Sequence, residues 1–158
     1  MNDRYLCKGK DKDDGKWYEG YYLCLHDTTY CCLPSDNEAE AKRLEGENTH
    51  HYIVFDRMTD WGLPNKHLRA EILPKTLCRC TGLKDKNGKL IWENDIVKVS
   101  TNKGNTLCEV RYADSVAQFQ LWQLTTLHKT ATVLNLGNYE EEVIGNIFDN
   151  PELLEVGE

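Results

Sequence analysis

The apolar positions recur mostly every second residue, in short runs bounded by turn residues, and this is the period of half-buried strands rather than of helices. Leu107 to Tyr112 alternates cleanly, with Cys108, Val110 and Tyr112 on one face and Glu109 and Arg111 on the other. Ala117, Phe119 and Leu121 repeat the pattern, and Thr130 to Leu136 and Glu142 to Phe148 are the last two predicted strands. Two hairpins stand out. Tyr5-Leu6-Cys7 and Trp17 to Leu25 flank a turn carrying Asp14-Gly15, and Leu77 to Leu83 and Ile91 flank one carrying Asn87-Gly88. Asp-Gly and Asn-Gly supply the positive backbone angles that tight hairpin turns need. Gly20, inside the second strand, marks a bulge or a close approach of two backbones. Further strands are expected at Tyr30 to Leu33, Thr49 to Phe55 and Ala70 to Leu73, and residues 56–69 read as irregular around Trp61-Gly62-Leu63-Pro64. One surface helix is expected over 36–45, opened by the capping box Ser35 to Glu38. Asn150-Pro151-Glu152 starts a short terminal helix.

These elements predict a mainly β chain, a β-rich α+β fold. Residues 1–76 would form a β-hairpin layer with the short helix near 36–45. Residues 77–158 would form a small barrel with a short C-terminal helix, or the two halves would share one interleaved core. No apolar run is long enough to span a bilayer, and Met1-Asn2-Asp3-Arg4 opens no apolar leader, so neither a membrane partner nor a secretory signal is expected.

Charge narrows the choice of partner. The 158 residues hold 19 Lys and Arg against 26 Asp and Glu, a formal net charge of −7. Residues 81–158 alone carry 7 basic and 12 acidic side chains. That excess of acid opposes a phosphate backbone, although Lys84, Lys86 and Lys89 cluster near Trp92. The seven cysteines include Cys31-Cys32 and Cys78-x-Cys80, but none forms the C-x₂₋₄-C knuckle of structural zinc sites. Small buried thiols in a reducing compartment are therefore expected, and no metal. His26, His50, His51, His67 and His128 are scattered, and no nucleophile or phosphate-loop motif accompanies them, so no catalytic residue and no cofactor are assigned.

Several segments together resemble the YopX family of phage and prophage proteins. They are Asp3-Arg4-Tyr5-Leu6 with Lys8-Gly9-Lys10, Gly15 to Tyr21, Thr81 to Lys89, Ile91 to Val97, and Glu142 to Leu154. Asn94 departs from the family pattern, which has a residue more like glycine before the Asp-Ile-Val strand; asparagine tolerates the same left-handed backbone. The resemblance implies a phage-derived protein of the bacterial cytoplasm whose C-terminal part is similar to an SH3-like barrel, and it carries over no active-site residues.

A binding role is thus expected rather than chemistry: a non-catalytic accessory protein that docks on another protein or on itself as a homo-oligomer. Trp17, Trp61, Trp92 and Trp122 are the candidate contact residues, because large rings give contact area at low entropic cost. Lys84, Lys86 and Lys89 join them for the alternative, a nucleic-acid-binding small barrel.

Overall fold

A computed structural model describes residues 3–27, 46, 48–58, 61–102, 104–124 and 133–155. The predicted helix at 36–45 and strand at 30–33, with Cys31 and Cys32, lie outside the described residues. The chain divides into two compact units, Leu6–Leu77 and Met1–Tyr5 with Cys78–Glu158. Both are built from antiparallel strands, so the chain is mainly β.

The first unit holds β1 (Cys7–Lys10), β2 (Trp17–His26), β3 (Thr49–Met58) and β4 (Pro64–Glu71) in the order β4-β3-β2-β1. Asp11 organises the first turn. Its carboxylate accepts the backbone N–H groups of Asp13 and Asp14 at 2.8 and 2.9 Å, and Gly15 takes φ 68°. One sheet face buries Ile53, Ala70 and Ile72. Gly20 is the close approach anticipated above: it is buried, and a Cβ there would land on the Val54 carbonyl of β3.

Residues 56–58 and 64–69 are strand, not irregular as their pattern suggests, while 61–63 form the turn it anticipates. β3 runs on to Met58 and β4 begins at Pro64. Proline is tolerated here because it opens the strand at an edge of this unit's pairing. A bulge breaks the alternation that would have revealed the pairing, since the register shifts between Phe55 and Arg57. Two residues, Lys66 and His67, oppose Asp56, and His67 takes φ 57°.

The second unit holds the hairpin β5 (Cys78–Lys84) and β6 (Leu90–Trp92), followed by β7 (Asp95–Thr101), β8 (Gly104–Ala113), β9 (Gln118–Gln123), β10 (Val133–Asn135) and β11 (Glu140–Asn146). The last five form a sheet of order β10-β9-β8-β7-β11, a four-strand meander whose fifth strand returns beside the first. That order is compatible with an SH3-like barrel. Ile91, Val97, Val99, Cys108, Val110 and Leu121 make its core. The alternation read along β8 places Cys108 and Val110 there. The chain turns from β6 into β7 through Asn94 at φ 66°, the left-handed angle for which asparagine replaces glycine. Asp95 closes that turn by accepting the Trp92 N–H at 2.9 Å. The terminal turn Pro151–Glu155 is a 3₁₀ helix.

Cys78, Cys80 and Cys108 are buried as expected of small apolar side chains, whereas Cys24 is exposed on β2. Burial pushes the Cys108 thiol up to about 11, and the nearby charge of buried Glu141 pushes in the same direction.

Candidate interaction surface

Among the described residues of the first unit, the β3–β4 hairpin carries the most exposed large apolar side chains. Trp61 is 90% exposed, with Met58 at 63% and Leu63 at 67%. A fully solvated indole flanked by two large apolar chains costs hydration free energy that folding leaves unrecovered, and such patches mark contact sites. The local sequence fixes this exposure. Met58 pairs with Pro64 in the last rung of the hairpin, and Gly62 turns the chain beyond it at φ 70°. Trp61 therefore sits past the end of the ladder, where no strand among the described residues covers it. The bulge below is held by Asp56, whose Oδ1 accepts the His67 N–H at 2.9 Å. That bond anchors a left-handed, non-glycine residue and increases the twist with which the hairpin presents its end.

The other three tryptophans are placed differently. Trp17, partly buried on β2, lies under two cations, with the Lys8 and Lys10 ammonium groups 5.3 and 6.0 Å from its ring centre. Trp122 is partly buried on β9, with the Arg111 guanidinium 5.3 Å from its ring. Its indole N–H is buried and has no partner among the described residues. Trp92 corrects the sequence reading. It is only 3% exposed and presents no contact area, because β6 directs it inward from the short hairpin with β5. Lys84 and Lys89 are exposed at that hairpin's turn, while Lys86 is neutralised by Glu142 at 2.7 Å. The cluster of lysines therefore meets the acidic entry of β11 rather than forming an uninterrupted basic track.

The sequence pattern did not single out a second feature, a groove of mixed lining. In the second unit, a groove of about 560 Å³ is lined by Cys80, Leu83, Tyr112, Phe119 and Leu136, with Thr81 and Gln118 at its polar margin. Arg79 fixes the aromatic wall. Its guanidinium lies 4.1 Å from the Tyr112 ring centre and 5.6 Å from that of Phe119. Glu93 grips it through two bonds of 2.8 Å. Tyr112 and Phe119 meet edge to face at 5.1 Å. A bidentate guanidinium stacked on rings is a rigid arrangement. The only sequence trace of the groove is the cross-strand pair Tyr112 and Phe119, visible once β8 and β9 are set in register.

One histidine is engaged by two carboxylates. His50 Nδ1 lies 2.9 Å from Glu71 Oε1, and its Nε2 lies 2.9 Å from Asp27 Oδ2. Lys12 joins Glu71 at 2.6 Å. Both ring nitrogens can donate only if both carry protons, so this geometry holds an imidazolium. The Glu71 hydrogen bond raises the His50 pKa. Desolvation opposes that shift, and the Asp27 charge adds to it. Neither of the two grooves described here, the one above and a polar one along Ser100 to Thr106, includes this histidine in its lining. We predict that His50 titrates above the ordinary value of about 6.5. The sign follows from the raised folded value: the clamp's contribution is full below the unfolded pKa and is lost as pH rises through the folded one. An NMR titration in which Glu71→Gln lowers the His50 midpoint would bear this out. A midpoint unmoved by that change would refute it.

Fold and surface define a mainly β protein of two antiparallel units that, among the described residues, exposes an apolar hairpin end in one and a groove with an aromatic wall in the other. The family model described as YopX protein matches residues 8–155, and the chain belongs to the YopX family. It is 27% identical over 126 residues to the "SPbeta prophage-derived uncharacterized protein YopX" of Bacillus subtilis (strain 168), covering 70% of this chain and 92% of that relative. The family match and this relative bear out the resemblance read from the sequence. No helix among the described residues is long and apolar enough to cross a membrane.

Proposed function

We propose that this YopX-family chain is a prophage accessory protein that acts by protein docking rather than by catalysis, in the cytoplasm of the bacterial host. The observation that carries the reading is the exposed hairpin end, Trp61 at 90% between Met58 and Leu63. Aromatic side chains of this kind anchor interfaces because their burial releases much ordered water while freezing few rotors. The charge balance supports a protein partner over nucleic acid. The chain is acidic overall, and Lys86, one of the three candidate lysines, is already paired with a carboxylate.

Affinity capture from lysogenic cells tests this, with nuclease treatment and Trp61→Ala as the two comparisons. Proteins retained after nuclease and lost with Trp61→Ala are the expected result. Partners that vanish on nuclease treatment would instead support the nucleic-acid alternative. A Trp61→Ala chain that captures everything the unmodified protein does would refute the docking role of the hairpin end. Removing one fully used aromatic anchor typically costs 2 kcal/mol or more, roughly a 30-fold loss of affinity.

A further inference from the structure

The inward-facing rows of the second unit change character toward one end of its sheet. Leu134 of β10 and Val143 of β11 come from the two outer strands yet pack against the same core, so the sheet curls round that core. Directly opposed residues of paired strands point to the same face. Val97, Val99, Cys108, Val110 and Leu121 mark the inner face. Every second residue onward, the same rows reach Thr101 on β7, Thr106 on β8 and Gln123 on β9, with Thr106 opposite Val99 and Gln123 opposite Cys108. Apolar side chains thus fill the middle of the rows, and hydroxyls and a carboxamide end them. All three of these polar residues are half-buried.

They line a groove of about 860 Å³, within the range of roughly 300–1,000 Å³ of ligand clefts, and the open ends of curled sheets are among the places where such clefts form. Asn138 and Tyr139, between β10 and β11, complete it, with Tyr139 40% exposed.

The lining selects by chemistry. Glu140 is the one charged residue among its described members, with no Lys or Arg. An anion, a phosphodiester included, would meet a carboxylate and no counter-charge. A single carboxylate does not hold a cation, and the described residues contain no group of three His, Cys, Asp or Glu side chains placed for a metal. An apolar ligand would strip water from hydroxyls and amides and return no hydrogen bonds. An extended peptide binds through the free ladder of an edge strand, whereas this groove offers mainly side chains at strand ends. Hydroxyl and carboxamide groups both donate and accept, so they match a neutral ligand dense in groups that do the same. The Tyr139 ring adds a flat apolar face with a polar tip.

We propose that this end of the sheet binds a neutral oligosaccharide: Thr101, Thr106, Gln123 and Asn138 exchange hydrogen bonds with its hydroxyls, and Tyr139 lies against the C–H face of a sugar ring. The site belongs to the second unit alone and is independent of the docking role of Trp61.

The test follows the backbone amide signals of the full, isotope-labelled chain by NMR. Starch-derived, cellulose-derived and chitin-derived oligosaccharides are added in turn, with a thymidine oligonucleotide as the anionic comparison. At least one of the sugars should shift Thr101, Thr106, Gln123 and Tyr139, with a dissociation constant of about 1 mM or tighter. Raising the salt should leave that constant unchanged, since no charge is neutralised. Tyr139→Ala and Gln123→Ala should each weaken binding roughly 10-fold, while Tyr139→Phe keeps the ring and most of the affinity. Far-UV circular dichroism checks that each variant is folded, and Tyr139→Ala is the deciding one because that residue stands exposed between two strands. Trp61→Ala should bind the sugar as the unmodified protein does.

No shift at the groove with any of the three sugars at about ten times that concentration would overturn the proposal. So would shifts confined to other parts of the chain, undiminished binding by folded Tyr139→Ala, or a response to the oligonucleotide alone. Each of these outcomes leaves the docking reading standing, because that reading is judged by capture through Trp61.

Discussion

Gly20→Ala should destabilise the first unit by about 3 kcal/mol, the upper part of the range for forcing an extra methyl into a closed site. The reason is local and specific. A Cβ on Gly20 would fall on the carbonyl oxygen of Val54, 2.9 Å from the Val54 carbonyl carbon and 3.1 Å from Ile53 Cγ2. The obstacle is backbone. Relieving the clash means moving β3 away from β2, and Tyr21 and Tyr22 are paired with Val54 and Ile53 at that point. Gly9→Ala offers the comparison. There the new methyl meets the buried Ile72 side chain, with Cδ1 at 2.5 Å, Cγ2 at 2.9 Å and Cβ at 3.1 Å. Rotation can move Cδ1 and Cγ2 away but not the Ile72 Cβ, so a smaller cost of about 2 kcal/mol is expected. Urea unfolding followed by far-UV circular dichroism ranks the two. A Gly20→Ala midpoint equal to that of the unmodified protein, or above that of Gly9→Ala, would show that β2 and β3 are not held as tightly as their pairing indicates.

Asp85→Ala should cost the second unit a similar amount, again about 3 kcal/mol, since hydrogen bonds to a buried charged group are worth roughly 1.5–3 kcal/mol each and the turn amides partly regain water. Asp85 is 7% exposed. Its Oδ1 accepts the N–H groups of Asn87 at 2.8 Å and Lys89 at 2.9 Å, and Oδ2 accepts that of Val143 at 3.1 Å. One carboxylate thus shapes the β5–β6 turn and ties it to β11. Burial pushes its pKa up, but the bonds from Val143, Lys89 and Asn87 outweigh that and hold it below the ordinary carboxylate value. A depressed folded pKa contributes stability that is present above the unfolded value, near 3.9, and is lost as pH falls through the folded one. The difference between the unmodified protein and Asp85→Ala should therefore be constant near neutral pH and shrink below about pH 4. Unfolding midpoints measured at neutral and at acid pH check both parts. A gap that widened in acid would contradict the sign, and no gap at neutral pH would contradict the role.

Gly15, Gly88 and Asn94 adopt the left-handed angles that their turns call for, and all three can be read within a window of a few residues. Turn chemistry is local: a residue's own side chain decides which backbone angles it tolerates. The alternation along β8 is local in the same sense, and so is the family resemblance, which rides on contiguous motifs. The β3–β4 bulge was not legible. A residue inserted into one strand shifts the period of everything after it, and Pro64 with Trp61-Gly62 mimics a loop.

The fate of the aromatic rings lay further still from what a linear reading can reach. Trp61 and Trp92 are the same residue beside similar turn signals, yet one is almost fully solvated and the other almost fully enclosed. The groove in the second unit needs Cys80, Tyr112, Phe119 and Leu136 to meet, and they are brought together from β5, β8, β9 and the turn after β10. The order of residues thus sets strand, turn and hairpin, because those depend on neighbours along the chain. Which faces meet water is settled by pairings between strands far apart in the chain, because solvent exposure is a property of the surroundings that folding assembles around a side chain.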